Sequence, residues 1–266
     1  MVQRHLEEHV IMNMLQVCLL LVSALFGGAL NSVAGGGSFF TFPTLLWAGI
    51  APVNANITST ITLWPGSVAS AGAYRKDLMM LNKHEIFVLS GTSLIGGIVG
   101  AILLLLTSQS TFLGIVPYFL LASTLLFALS GVLTQRLQRL RFEQSLSHLA
   151  LWRAMLIQLI VAIYGGYFGG AIGIMMLASF GLMGMMNIHQ MNALKTLLTS
   201  CINGVAVLIF AVTGAVAWSQ AVLMVVGAIL GGYVGATFVR KIDQRWVKLF
   251  VVLVGSGLTV YFFFHH

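Results

Sequence analysis

The sequence predicts an all-α polytopic membrane protein built from two inverted repeats. Of its 266 residues 59% are hydrophobic and only 7% are charged, whereas a soluble domain carries about 25% charged residues. A glycine-rich pattern occurs twice, roughly half a chain apart, and the basic residues gather in a few short segments. We expect about 8 full transmembrane helices and two short broken or re-entrant helices, giving up to about 10 crossings.

Long apolar segments define the predicted spans. A helix needs roughly 17 to 25 mainly apolar residues to cross the hydrocarbon core. Two shorter apolar pieces, 37–50 and 173–186, directly follow the glycine motifs and fit half-helices better than ordinary spans. The first span is expected to be retained, because no small-residue cleavage site follows it. The segments of sufficient length are 10–33, 56–74, 86–107, 112–133, 151–170, 190–213, 218–239 and 246–264.

The repeated pattern divides the chain into a first repeat (1–133), a linker (134–150) and a second repeat (151–266). Glycine-interrupted apolar segments at matching places in two halves point to the binding site of a transporter. The first copy reads AGGGSFFTFP, then VNANITST, then GGIVGA, and the second reads GGAIGIMMLA, then HQMNALKT, then GGYVGA.

Basic residues predict the orientation in the membrane. The net charge of +7 is concentrated in 75–83, 134–153 and 240–248, which we expect to be cytoplasmic loops. The loops near 107–111 and 213–219 carry no charge. Corresponding loops of the two halves therefore lie on opposite sides of the plasma (inner) membrane, as in an inverted repeat. Basic clusters at span ends are ordinary topology signals, so nucleic-acid binding is not expected.

Parity leaves two interpretations of the second short piece open. Going from the cytoplasmic linker to an external loop at 214–218 requires an odd number of crossings. Either 173–186 crosses as a broken span, or 151–170 and 173–186 form a hairpin that enters and returns. If both short pieces cross, both termini lie outside. Either way the glycine-rich break lies within the membrane.

Lys195 is the strongly basic residue deepest in a predicted span. It lies about seven residues after the expected helix start, or roughly 10 Å along the axis. A lysine near mid-bilayer costs about 2.5 to 3.5 kcal/mol and usually faces a cavity or a partner. No acidic residue lies near it in sequence, so we expect a small anionic substrate beside its ammonium group. The alternative is a side chain that snorkels to the nearer surface.

Amides and hydroxyls surround this position at helical spacing, and a similar cluster occurs in the first half. Such groups donate hydrogen bonds to anion oxygens, although the same residue types also join transmembrane helices. Glycines at the breaks allow close approach of a ligand, whereas Gly96, Gly100, Gly231 and Gly235 fit helix packing better. The predicted substrate contacts are Lys195, Asn192, Thr196, Thr199, Asn203, Asn56, Ser59, Thr60, Asn54, Gly36, Gly37, Gly170 and Trp64.

Several function classes are not expected. An intramembrane enzyme needs paired carboxylates or clusters of His and Cys ligands, and the predicted spans contain none. The two cysteines, Cys18 and Cys201, have no CxxC spacing. No nucleotide-binding motif is present. We therefore expect no cofactor, no metal and no enzymatic activity, and we assign no role to the terminal histidine pair.

At these motifs the chain resembles the sulfite exporter TauE/SafE family of membrane permeases, also called the TSUP family. The resemblance is most specific in GGYFGGAIGI, NIHQMNALKTLLTSCINGVAVLIF and GAVAWSQAVLMVVGAILGGYVGA of the second half, with AGGGSFFTFPTLLWAGI and NANITST as the counterpart in the first. It implies a permease or exporter of small sulfur-containing anions such as sulfite, thiosulfate or sulfonates. The second glycine stretch departs from the pattern, because it lacks the proline that Pro43 supplies in the first.

The sequence thus predicts a carrier that works by alternating access around a midplane site between the two repeats. A channel-like anion pore, or a facilitator for small carboxylates, is the alternative, since it would use the same residues. The expected partners are the small anion and the lipid bilayer, and a homodimer is left open.

Overall fold

The computed structural model describes residues 14–139, 148–183, 185, 187–237 and 244–264. Within them the chain forms eleven α-helices, so the predicted all-α class holds for this part of the chain. The predicted linker centre, the first residues of the 240–248 loop and both termini lie outside the described residues. The helices are α1 (Met14–Ala34), α2 (Ser38–Trp47), α3 (Pro52–Ala73), α4 (Arg75–Leu78), α5 (Lys83–Leu106), α6 (Gln109–Arg139), α7 (His148–Tyr167), α8 (Ile172–Leu182), α9 (Ile188–Ala211), α10 (Trp218–Thr237) and α11 (Gln244–Phe264).

The bundle has an apolar outside and a partly polar inside, as expected of a protein surrounded by lipid. Large side chains such as Phe87, Ile95 and Leu106 are exposed, whereas Ser59 and Thr62 are fully buried. Among the described helices, five are long and apolar enough to cross a membrane, by length and composition, and three shorter helices are also apolar. Helix α3 is long enough but less apolar, because Asn, Ser and Thr side chains interrupt it.

Two helix pairs form the most extensive contacts, α1 with α10 and α5 with α7. Small residues make both contacts close. A methyl group at Gly231 would overlap the carbonyl oxygen of Leu25 on α1, and one at Gly96 would lie 2.5 Å from the Cβ of Ala162 on α7. A methyl group at Gly100 would overlap atoms of α7, and one at Gly235 would overlap atoms of α1. These four glycines are therefore packing positions, which confirms the interpretation drawn from their spacing.

The short helices turn the chain back. Helix α8 follows α7 through a break in which Gly169 and Ala171 both have positive φ, 76° and 57°. After α8, Met183 and Met185 line one cavity together with Leu151 near the start of α7. Helix α8 therefore returns to the end of the bundle from which α7 starts.

The two ends of the bundle are called the Lys83 end and the Gln109 end. The Lys83 end holds residues 74–83 and the connection from α8 to α9, which meet at the cavity just described. The Gln109 end holds residues 48–54 and 107–109, because the side chain of Gln109 accepts a hydrogen bond from Val53 N at 2.7 Å and donates one to Asn54 Oδ1 at 2.9 Å.

The glycine breaks of the two halves meet inside the bundle. Gly35, with φ of 74°, follows α1, and a methyl group there would lie 2.9 Å from the Cα of Gly173 at the start of α8. Only glycine permits backbones to approach this closely in that conformation. Gly37 packs in the same way against the carbonyl oxygen of Gly27 on α1, at 2.5 Å from its would-be Cβ.

Candidate functional site

Lys195 lies two turns inside helix α9. The helix begins at Ile188 because the side chain of Asn187 caps it, accepting from His189 N at 2.9 Å and from Gln190 N at 3.4 Å. Lys195 is 3% exposed, and its Nζ donates to Asn192 Oδ1 at 3.1 Å. The ammonium group is thus held inside the helix bundle, about 10 Å along the axis from the helix start.

The other polar residues of α9 bind different partners. Thr196 is buried and donates to the carbonyl oxygen of Asn192, one turn earlier, at 2.7 Å. Thr199 is buried and donates to Met176 Sδ on α8 at 3.5 Å. Asn203 is half-buried further along the helix. Within the predicted stripe, the hydroxyl of Thr196 therefore bonds to its own helix, and that of Thr199 connects α9 to the short helix α8.

The first-half cluster on α3 is bound to neighbouring elements. Asn56 is 1% exposed and donates from Nδ2 to the backbone carbonyl of Tyr167 at 2.9 Å. Ser59 and Thr41 of α2, both fully buried, share a hydrogen bond of 2.5 Å. Thr60 donates back to the carbonyl of Asn56 at 3.0 Å. Asn54 accepts the hydrogen bond from Gln109 at the bundle end.

The polar cluster of α3 and the polar cluster of α9 begin near opposite ends of the bundle. Asn56 lies about one turn, or roughly 6 Å, after Pro52 at the Gln109 end, while Lys195 lies about 10 Å in from the Lys83 end. Between them Trp64 Nε1 donates to the carbonyl of Ser200 at 3.1 Å, which joins α3 to α9. The predicted residues are therefore spread along the axis of the bundle and do not gather at one point.

The glycines selected from the sequence lie at the breaks before α2 and α8. Gly36 and Gly37 are buried at the start of α2, where Gly36 accepts a hydrogen bond from Phe39 N at 3.2 Å. The carbonyl oxygen of Gly170 accepts from Tyr164 Oη at 2.8 Å and from Ser123 Oγ at 3.2 Å. The second break is thus held by side chains of α6 and α7, and its backbone geometry is fixed.

Sequence reasoning did not select Gln158 or Ser93, which form a fully buried pair between α7 and α5. Gln158 Nε2 donates to Ser93 Oγ at 2.8 Å. A signal was present, since Gln158 is an amide within an otherwise apolar span. Tyr164 and Ser123, which bond each other and the carbonyl oxygen of Gly170, were not selected as site residues either.

Known proteins were compared with the whole chain. The family model described as Sulfite exporter TauE/SafE matches residues 20–262. A probable membrane transporter protein YfcA of Escherichia coli K12 is 26% identical over 237 residues, which cover 89% of this chain and 85% of that protein.

Two further relatives have similar names. The probable membrane transporter protein ORF9 of a Sinorhizobium species is 27% identical over 244 residues, covering 91% of this chain and 90% of its own. A probable membrane transporter protein of Haemophilus influenzae is 27% identical over 231 residues, covering 86% and 88%. No solved structure matches the chain. Because the family model covers nearly the whole sequence, this multi-pass membrane protein belongs to the sulfite exporter TauE/SafE family.

Proposed function

We propose that this protein carries small sulfur-containing anions, such as sulfite, thiosulfate or sulfonates, across the plasma (inner) membrane. The observation that supports this most is the position of Lys195, which is 3% exposed and bonded to Asn192 deep in α9. A positive charge in a low-dielectric interior attracts anions strongly and repels cations. By contrast Arg75, Lys76, Lys83 and Arg153 are exposed, as topology signals should be.

The two repeats, 1–133 and 151–266 with the linker 134–150, insert with opposite orientation. The pairing of α1 with α10 and of α5 with α7 supports this, because exchanging the halves turns one pair into the other. The Lys83 end faces the cytoplasm together with the loops 134–153 and 240–248. Helices α3, α5, α6, α9, α10 and α11 cross the membrane, while the α1–α2 and α7–α8 hairpins enter from opposite sides.

Substrate binds near the meeting point of the glycine breaks. Lys195 supplies the charge, and the amides and hydroxyls of α9 and α3 supply hydrogen bonds. The start of α8, which follows the left-handed Ala171, adds the positive end of a helix dipole. One repeat rocks against the other, so the site opens to each side in turn. The residues predicted from sequence line this site and the path on either side of it: Lys195, Asn192, Thr196, Thr199, Asn203, Asn56, Ser59, Thr60, Asn54, Gly36, Gly37, Gly170 and Trp64.

A channel-like anion pore, or a facilitator for small carboxylates, is the second candidate. The extended spacing of Asn56 and Lys195 along the bundle favours it, since a pore needs several weak sites in series. A carrier saturates with substrate and turns over slowly, whereas a pore does neither. The concentration dependence of flux into liposomes separates the two.

An uptake screen tests the proposal. Purified protein in liposomes is offered sulfite, thiosulfate, sulfoacetate, taurine and small carboxylates, with Lys195→Ala measured beside the parent chain. We expect saturable uptake of at least one sulfur anion, which Lys195→Ala abolishes while Lys83→Ala, an exposed basic residue, retains it. Full transport by a folded Lys195→Ala protein would refute the assignment of the anion site.

A further inference from the structure

The Lys83 end contains a cavity between α5, α7 and the connection from α8 to α9. Its volume is about 40 Å³, enough for a few water molecules. The walls are mainly apolar, and the acidic side chain of Glu85 lies among them. Leu194 also lines it, so the cavity lies beside the turn of α9 that carries Lys195.

The buried pair Gln158 and Ser93 lies one helical turn deeper than the cavity wall. Leu89 on α5 and Ala154 on α7 line the cavity. Ser93 and Gln158 follow each of them by one helical turn, so they lie on the same helix faces about 6 Å deeper. Both are fully buried and bonded to each other at 2.8 Å.

Gln158 retains an open acceptor at this depth. Its Oε1 is buried and makes no hydrogen bond, while its Nε2 is held by Ser93. An unmet buried acceptor costs about 1 to 3 kcal/mol. Water reaching it from the cavity would remove that cost, and so would a donor hydrogen on a hydrated or protonated oxyanion.

We propose that this cavity is the access passage from the Lys83 end to Lys195, and that Gln158 is a substrate-path residue at its inner end. The unbonded carbonyl oxygen of Gln158 accepts hydrogen bonds from the solute or its water. The proposal rests on the proposed function for the class of solute. The passage itself is tested without measuring transport.

Thiol labelling tests the passage. In a chain with Cys18→Ala and Cys201→Ala, a cysteine replaces Ala154 in the cavity wall, and the matched control places it at Leu156, which is on the same helix and 46% exposed on the outer surface. A small anionic methanethiosulfonate is applied to each side of sealed vesicles. We expect Ala154→Cys to react more than about tenfold faster than Leu156→Cys, because a charged reagent does not enter lipid. The reaction should proceed from the Lys83 side only.

Equal rates at the two cysteines, or faster reaction from the Gln109 side, would overturn the passage. Repeating the labelling in a chain that also carries Lys195→Met separates the proposed passage from the proposed anion site at Lys195. Fast modification of Ala154→Cys in that variant supports the passage even if the anion site proves wrong.

A second comparison tests Gln158 itself. Gln158→Leu removes the open carbonyl, whereas Ser93→Ala removes only the partner of the amide. We expect Gln158→Leu to slow uptake of the anion found in the screen by about tenfold or more, a loss typical of a removed polar contact in the path, while Ser93→Ala stays within about twofold. Equal losses in both variants would show that the pair only joins α5 to α7, and the assignment of Gln158 would then be wrong.

Discussion

Asn56 of the first half donates its amide hydrogen to the backbone carbonyl of Tyr167 at 2.9 Å, at the residue where α7 ends and the second glycine break begins. A residue of the first half therefore bonds to the backbone at the second glycine break. The oxygen Oδ1 of the same amide is buried without a hydrogen-bond partner, so it too faces the interior with an open acceptor.

Replacing Asn56 should affect both stability and transport. Asn56→Ala leaves the carbonyl of Tyr167 without its donor, which costs about 1 to 3 kcal/mol. Asn56→Asp should reduce anion uptake more than Asn56→Ala does, because it adds a negative charge to the path. Thermal unfolding in detergent and uptake into liposomes measure the two effects. Equal uptake by Asn56→Asp and the parent chain would exclude Asn56 from the path.

Because the two glycine breaks are in contact, alanine substitutions at Gly35 and at Gly91 should differ strongly in their effect on stability. Gly35→Ala forces a left-handed conformation on alanine, at roughly 1 to 2 kcal/mol, and also presses its methyl group onto Gly173. Gly91→Ala on α5 meets nothing within 4 Å and should be neutral or slightly stabilising. Unfolding temperatures of the two variants in the same detergent provide the test. A Gly35→Ala protein as stable as Gly91→Ala would contradict the close approach.

Helix packing through small residues makes a similar prediction for α10. Gly231→Ala places a methyl group on the carbonyl of Leu25, so α1 and α10 must move apart. Overpacking of this kind costs about 1 to 3 kcal/mol. Gly257→Ala in α11, where no atom lies within 4 Å, is the control and should leave stability unchanged. If both variants unfold alike, the α1–α10 contact is not as close as described.

The side chain of Gln109 joins two helices at its end of the bundle and should stabilise the fold there. It bonds both the backbone of Val53 and the side chain of Asn54, and thereby ties α6 to the start of α3. Gln109→Ala removes both bonds and should lower the free energy of unfolding by about 1 to 3 kcal/mol. Thr111→Ala, on the same exposed turn, should change it by no more than about 0.5 kcal/mol. Similar free energies of unfolding for the two variants would show that the hydrogen bonds of Gln109 contribute nothing to stability.

Much of the architecture could be predicted from local sequence. The span predicted at 56–74 is observed as Pro52–Ala73, because Pro52 starts the helix before the apolar stretch begins. The depth of Lys195 follows from its spacing after the Asn187 cap. Helix α6 reaches Arg139, beyond the predicted end at 133, since polar residues continue a helix after it has left the apolar zone. Helix geometry alone accounts for these features.

The arrangement of the site could not be predicted in the same way. Parity allowed both a third crossing and a hairpin for 173–186, because the choice depends on tertiary contacts such as those that Met183 makes with the start of α7. The sequence showed two matching polar clusters but not their order along the bundle axis. Gln158 was missed because its role depends on Ser93 and on a cavity lined by residues from distant parts of the sequence. Such relationships arise from packing between distant segments.

The most direct measurement is equilibrium binding of sulfur anions to the purified protein, with Lys195→Met and Lys195→Arg compared with the parent chain. Methionine keeps most of the side-chain volume and removes the charge, while arginine keeps the charge. We expect Lys195→Met to weaken binding by more than about tenfold, because a desolvated charge partner is lost, and Lys195→Arg to bind more tightly than Lys195→Met. Unchanged affinity in a folded Lys195→Met protein would contradict the role of Lys195 as the anion-binding charge.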